Sequence, residues 1–154
     1  MFRNLLRGAA AGAAATTALN AVTYADMAAR GRPASSVPEQ AVERMAEQSG
    51  HPVSGEGEVR QNRLEGLGAL GGIATGVGIG AVAGLFRPVF AHLPTLLGAT
   101  ILGGAAMAAA DVPLQQMKLT DVASWSPSDW ASDIVPHAAY GVVAALILKG
   151  AKQG

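Results

Sequence analysis

Five glycines, Gly68, Gly72, Gly76, Gly80 and Gly84, recur at every fourth position through residues 66–86, GLGALGGIATGVGIGAVAGLF, a run with no charged residue. In a water-soluble helix each interior glycine costs about 1 kcal/mol against alanine. In lipid the backbone has no water to bond, so an apolar run of this length is forced to be helical. Glycine every four residues then opens a groove into which a second helix can press its backbone. The pattern predicts a membrane helix built for close contact. Each four-residue step drifts by about 40° around the helix, so the five glycines wind and suit a right-handed crossing.

The rest of the composition agrees with lipid. Half of the 154 residues are apolar, 14% are charged and 5% are aromatic, with alanine and glycine supplying most of the apolar count. A soluble core needs larger side chains to reach native packing density, whereas small residues are the packing material of membrane bundles. Net charge is zero and no basic patch is interleaved with aromatics, which argues against a nucleic-acid partner. The chain has no cysteine, which excludes disulfides, thiolate metal sites and a cysteine nucleophile.

Four spans are expected, at about residues 4–29, 66–86, 89–110 and 130–148, in a single polytopic domain covering 1–154. Polar connections fill 30–65 and 111–129. The first run follows Arg3 and Arg7 and holds its own small pair, Gly8 and Gly12. A secretory signal peptide is the alternative there, but Thr16, Thr17, Asn20 and Thr23 interrupt the run and its apolar part is alanine, not leucine. Thr16, Asn20, Thr23 and Tyr24 share one helix face, and such a stripe belongs against protein. Gly31 and Pro33 stop this helix, and Ser36-Val37-Pro38-Glu39 has the form of a capping box. The short helix behind it puts Val37, Ala41, Val42 and Met45 on one face and Glu39, Glu43, Arg44 and Glu47 on the other. That is an amphipathic surface helix of about three turns. Arg87-Pro88 breaks the second span from the third, and Asp111-Val112-Pro113 is expected to end the third. Ser126-Pro127-Ser128-Asp129 is a second capping box, flanked by Trp125 and Trp130 as at a membrane interface. Pro136 is expected to kink the last helix, which Lys149 and Lys152 close.

Four spans put both termini on one side, with Arg3, Arg7, Arg87, Lys149 and Lys152. Arg30, Arg32, Arg44, Arg60, Arg63 and Lys118 fall on the other. The cations of the terminal side sit tight to helix ends, which favours cytoplasmic termini in a cell membrane.

Chemistry-bearing residues are few. Asp26, Asp111 and Asp133 all fall at one membrane face, His137 lies four residues after Asp133, and Tyr140 lies one turn further in. A carboxylate–histidine pair beside two more carboxylates can bind a cation or pass protons. The competing reading is structural: Asp26 pairs with Arg30, Asp133 opens its helix, and His137 bonds across the bundle. One histidine and scattered aspartates lack metal-ligand spacing, so no metal or other cofactor is expected. The serines lack a nucleophile elbow. GGIATGVGIG has no lysine after it and continues through an apolar span, so it is no phosphate loop. No catalytic role is assigned, and the sequence points away from an enzyme.

Two stretches, LLRGAAAGAAATTALNAVTYADMAARGRPASSVPEQAVERMA and WSPSDWASDIVPHAAYGVVAA, resemble a group of small, uncharacterised actinobacterial integral membrane proteins. More loosely, the layout is similar to the YagU-like inner-membrane proteins. The resemblance implies a polytopic membrane fold and supplies no activity and no site residues.

The expectation is therefore all-α: a four-helix transmembrane bundle with a short amphipathic surface helix between the first two spans. Its partners are the lipid bilayer and either a second copy or another membrane protein, engaged through the glycine zipper. Gly8 and Gly12 on the first helix, and Gly103 and Gly104 on the third, can also meet the zipper within the chain. That makes the second span the central post of the bundle. Proton or small-ion transport through Asp26, Asp111, Asp133, His137 and Tyr140 is the alternative function.

Overall fold

The computed structural model describes residues 1–150, so Lys152 lies outside the described residues. Six α-helices follow in order: α1 (Phe2–Arg30), α2 (Val37–Gln48), α3 (Gly57–Leu85), α4 (Arg87–His92), α5 (Thr95–Gln116) and α6 (Pro127–Gly150). A 3-10 turn at Val122–Ser124 precedes α6, and no strand occurs among the described residues.

Three of these helices, α3, α5 and α6, are long and apolar enough to cross a membrane. The environment they call for is a lipid bilayer. α1 has the length, at 29 residues, but threonine and asparagine dilute an apolar face made mainly of alanine.

α1 lies in the middle of the long helices, packed against α3 on one flank and α6 on the other, with α5 beyond α6. α3 and α5 meet only lightly. The glycine-rich helix is therefore not the central post. Small residues set the distances. A Cβ placed on Gly80 would come within 2.5 Å of Gly12 Cα, and one on Gly8 or Gly84 would run into the facing backbone. Gly76 faces Thr16, whose hydroxyl donates to the Gly12 carbonyl at 2.8 Å. Gly68 instead faces Pro38 of α2, and Gly72 faces nothing within 4 Å. The glycines of α5 do not meet α3 either. Gly103 lies under the His137 carbonyl of α6, a Cβ there falling 2.7 Å away, while Gly141 of α6 faces Ala99 and Gly103, and Gly104 is open.

The helix ends explain several departures from expectation. α1 stops at Gly31 in the left-handed conformation, φ 63°, which glycine adopts at little cost. At Ser36 no side-chain cap forms. The Ser36 hydroxyl accepts from Gln40 Nε2 at 3.0 Å instead. At Ser126 the box does form: Asp129 N–H donates to the Ser126 hydroxyl at 3.2 Å, and Ser126 N–H to the Asp129 carboxylate at 2.9 Å. The segment expected to open the third span is divided. Arg87–His92 is a helix of its own, Leu93 and Pro94 are extended, and α5 starts at Thr95. α5 then passes Asp111 and runs to Gln116 with Pro113 inside it. Pro113 lacks only its own N–H, and its carbonyl still accepts from Met117 N–H at 2.9 Å. α6 likewise continues through a buried Pro136. α2 is tied to α3 by the Arg60–Glu43 ion pair at 2.6 Å.

Candidate functional site

The C-terminal end of α1, the end of α5 and the start of α6 surround an open cavity of about 910 Å³. Its walls are Leu19, Asn20 and Thr23 from α1, Asp111 and Leu114 from α5, and Asp133, Pro136 and His137 from α6; Arg30, Arg32 and Trp125 stand at its mouth.

Asp133 and His137 are one helical turn apart on α6 and meet by that spacing. His137 Nδ1 lies 2.8 Å from the Asp133 backbone carbonyl and 3.2 Å from Asp133 Oδ1. Both neighbours are acceptors, so Nδ1 carries the proton and donates, which leaves Nε2 for another partner. The second oxygen of Asp133, Oδ2, is shut from solvent and has no hydrogen-bond partner. The Asp111 carboxyl, reaching across from α5, lies against the Asp133 carboxyl and near the imidazole. Two carboxyl groups and one imidazole from two helices thus share one wall of the cavity. No group of three or more His, Asp or Glu side chains placed to hold a metal ion is found among the described residues.

Asp26 and Tyr140 stand apart from this trio. The Asp26 carboxylate is clamped by Arg30 Nη2 at 2.7 Å and Arg32 Nε at 2.6 Å. Arg30 also donates to the hydroxyls of Ser128 and Ser132, which fastens the end of α1 to the start of α6. Asp26 therefore belongs to a clip at the mouth. Tyr140, 1% exposed, donates its hydroxyl to the Gly76 carbonyl of α3 at 2.6 Å. With Thr16 and Gly76 it closes the bundle below His137. Tyr24 points outward, 63% exposed, although it borders the cavity mouth, so only the Thr16 end of the polar stripe is buried in protein.

Arg30, Ser128 and Ser132 carry no motif. The only trace of the clip in the sequence is the four-residue spacing of Asp26 to Arg30 and of Ser128 to Ser132, which puts each pair on one helix face. Trp125 and Trp130 pack edge to face with centroids 5.0 Å apart, and Trp125 Nε1 donates to Thr120 Oγ1 at 3.1 Å, fixing the loop before α6.

No family model, no curated protein and no solved structure matches this chain.

Proposed function

We propose that the chain is a non-enzymatic, multi-pass membrane protein that takes up protons, or a small cation, from one face of the bilayer through the Asp111–Asp133–His137 cavity. α1 serves as the fourth span, since it has the length and packs between two apolar helices, α3 and α6. α2 rests at the surface. The observation that carries the reading is the convergence of three protic side chains beside an unpartnered, buried Asp133 Oδ2. A buried acceptor without a partner costs free energy, and a proton or cation supplied from the cavity removes that cost. Placement in the cell membrane with cytoplasmic termini is supported by Arg3, Arg7, Arg87 and Lys149 lying at the helix ends of that face. The resemblance to small actinobacterial membrane proteins, and loosely to the YagU-like group, fits this reading and adds no activity.

Liposomes loaded with a pH-sensitive dye test it. Under an imposed pH gradient the wild-type chain equilibrates pH, while Asp133→Asn and His137→Ala each reduce the rate at least tenfold. Unchanged flux in both variants sinks the reading.

A second reading rests on a different observation. Gly66, Gly71, Gly72 and Gly78 of α3 face nothing within 4 Å, and Ile73 beside them is 44% exposed. In this reading the outer part of the glycine zipper packs against a second copy or another membrane protein. Cysteine at Ile73, but not at the buried Ala83, then gives intermolecular disulfides in native membranes. Ile73→Cys remaining monomeric under oxidation removes self-association through this face.

A further inference from the structure

The eleven carboxylates of the chain all lie between residues 26 and 133, at the ends of helices that face the cavity or in the connections beyond them. The opposite end of the bundle holds Arg3, Arg7, Arg87 and Lys149 and, among the described residues, no carboxylate side chain. Lys149 is engaged, donating to Thr95 Oγ1 at 3.1 Å. Arg87 is not paired in this way: its Nε is shut from solvent and has no hydrogen-bond partner. A guanidinium N–H in that state is short of an acceptor, and no acidic side chain among the described residues of this face provides one.

Arg87 sits in sequence beside Phe86 and three residues before Phe90. Both rings line an apolar groove of about 490 Å³ between α3 and α5. Gly78 leaves the groove wall open, since a Cβ there meets nothing within 4 Å. The hydroxyl of Thr75, also in the wall, is satisfied by the Gly71 carbonyl at 2.9 Å, so the groove offers no free polar group along its length. α3 and α5 meet only lightly, which leaves this groove between them.

We propose that this groove seats an acyl chain of an anionic phospholipid whose phosphate is held by Arg87. A hydrocarbon chain needs only apolar walls, and the surrounding bilayer supplies it at high concentration. A phosphate can pair with the two terminal nitrogens of the Arg87 guanidinium in the bidentate geometry that group favours. Arg3 and Arg7 add attraction for anionic headgroups at the same face. The proposal rests on the membrane placement and is independent of the acid–histidine cavity.

Native mass spectrometry of the full chain, released from nanodiscs with equal phosphatidylglycerol and phosphatidylcholine, reads the outcome. Wild type retains phosphatidylglycerol at least tenfold over phosphatidylcholine. Arg87→Gln loses that preference, Arg87→Lys keeps part of it, and Gly78→Leu, which fills the groove, loses retention of both lipids. Equal retention of the two lipids by wild type overturns the proposal, whatever the variants do. So does an undiminished preference in Arg87→Gln. Efficient dimer formation by Val82→Cys under oxidation overturns it too, because the groove is then covered by a second copy.

Discussion

Gly80→Leu is expected to separate α1 from α3 and to leave the purified protein without a sharp unfolding transition. A Cβ at Gly80 would lie 2.5 Å from both the Cα and the N of Gly12, and a leucine adds three carbons beyond it. Overpacking against side chains costs about 1–3 kcal/mol, because the neighbours can rotate away. Here the neighbour is the backbone of a helix, which must move as a body. The loss should therefore reach or exceed about 3 kcal/mol, a large share of the roughly 5–15 kcal/mol that holds a protein folded. The control is Gly72→Leu on the same helix, two turns away and open to its surroundings. It should leave the transition where it is. Thermal unfolding in mild detergent, followed by circular dichroism and by size-exclusion homogeneity, compares the two. Equal destabilisation would mean that α3 does not discriminate between its faces, and the α1–α3 contact described above would be wrong.

The contrast between Gly80 and Gly72 also marks how far the sequence could be read. The four-residue spacing announces close contact, and Gly8 and Gly12 announce a partner, because both are local patterns. The division of the glycine repeat follows from its winding. Successive glycines drift around the helix by about 40°, so Gly76, Gly80 and Gly84 face α1 while Gly68 has turned far enough to face Pro38 of α2. Which neighbour waits at each angle is a tertiary fact. The place of α1 between α3 and α6 is hard to read for a related reason: threonine, asparagine and arginine lower its hydropathy, and which helices flank it is again a tertiary fact. The contact of Gly141 with Ala99 and Gly103 has no repeat on α6 to signal it. At the cavity, sequence spacing gave depth but not direction. Asp26, Asp111 and Asp133 do lie at one end of the bundle, yet helix rotation turns Asp26 to Arg30 and Arg32 and leaves the other two together. The two capping patterns were equivalent on paper. They differ because Asp129 returns to the Ser126 N–H, whereas Glu39 Oε2 is buried without a partner.

Tyr140→Ala should destabilise the protein by about 3–5 kcal/mol, the range for removing a large buried aromatic side chain. Tyr140 is one of the two largest fully buried side chains and packs at the junction of α6 with α1 and α3. Its second consequence concerns the cavity. The Asp111–Asp133–His137 wall opens to one end only, and the bolt beneath it is the Tyr140 ring with its hydroxyl on the Gly76 carbonyl. Removing the ring leaves a void beneath the cavity, at the packed contact of Thr16 with Gly76. Tyr140→Phe separates the two roles. It keeps the volume and deletes one hydrogen bond, worth about 1 kcal/mol, so its unfolding midpoint should fall only slightly. If the bolt works by filling space, Tyr140→Phe liposomes dissipate an imposed pH gradient at the wild-type rate, while Tyr140→Ala liposomes dissipate it faster. If the hydroxyl bond is what keeps the bolt shut, Tyr140→Phe also leaks at nearly full stability. Tyr140→Ala liposomes that dissipate the gradient at the wild-type rate, with the variant still folded, would place the barrier elsewhere and remove Tyr140 from any role in the path.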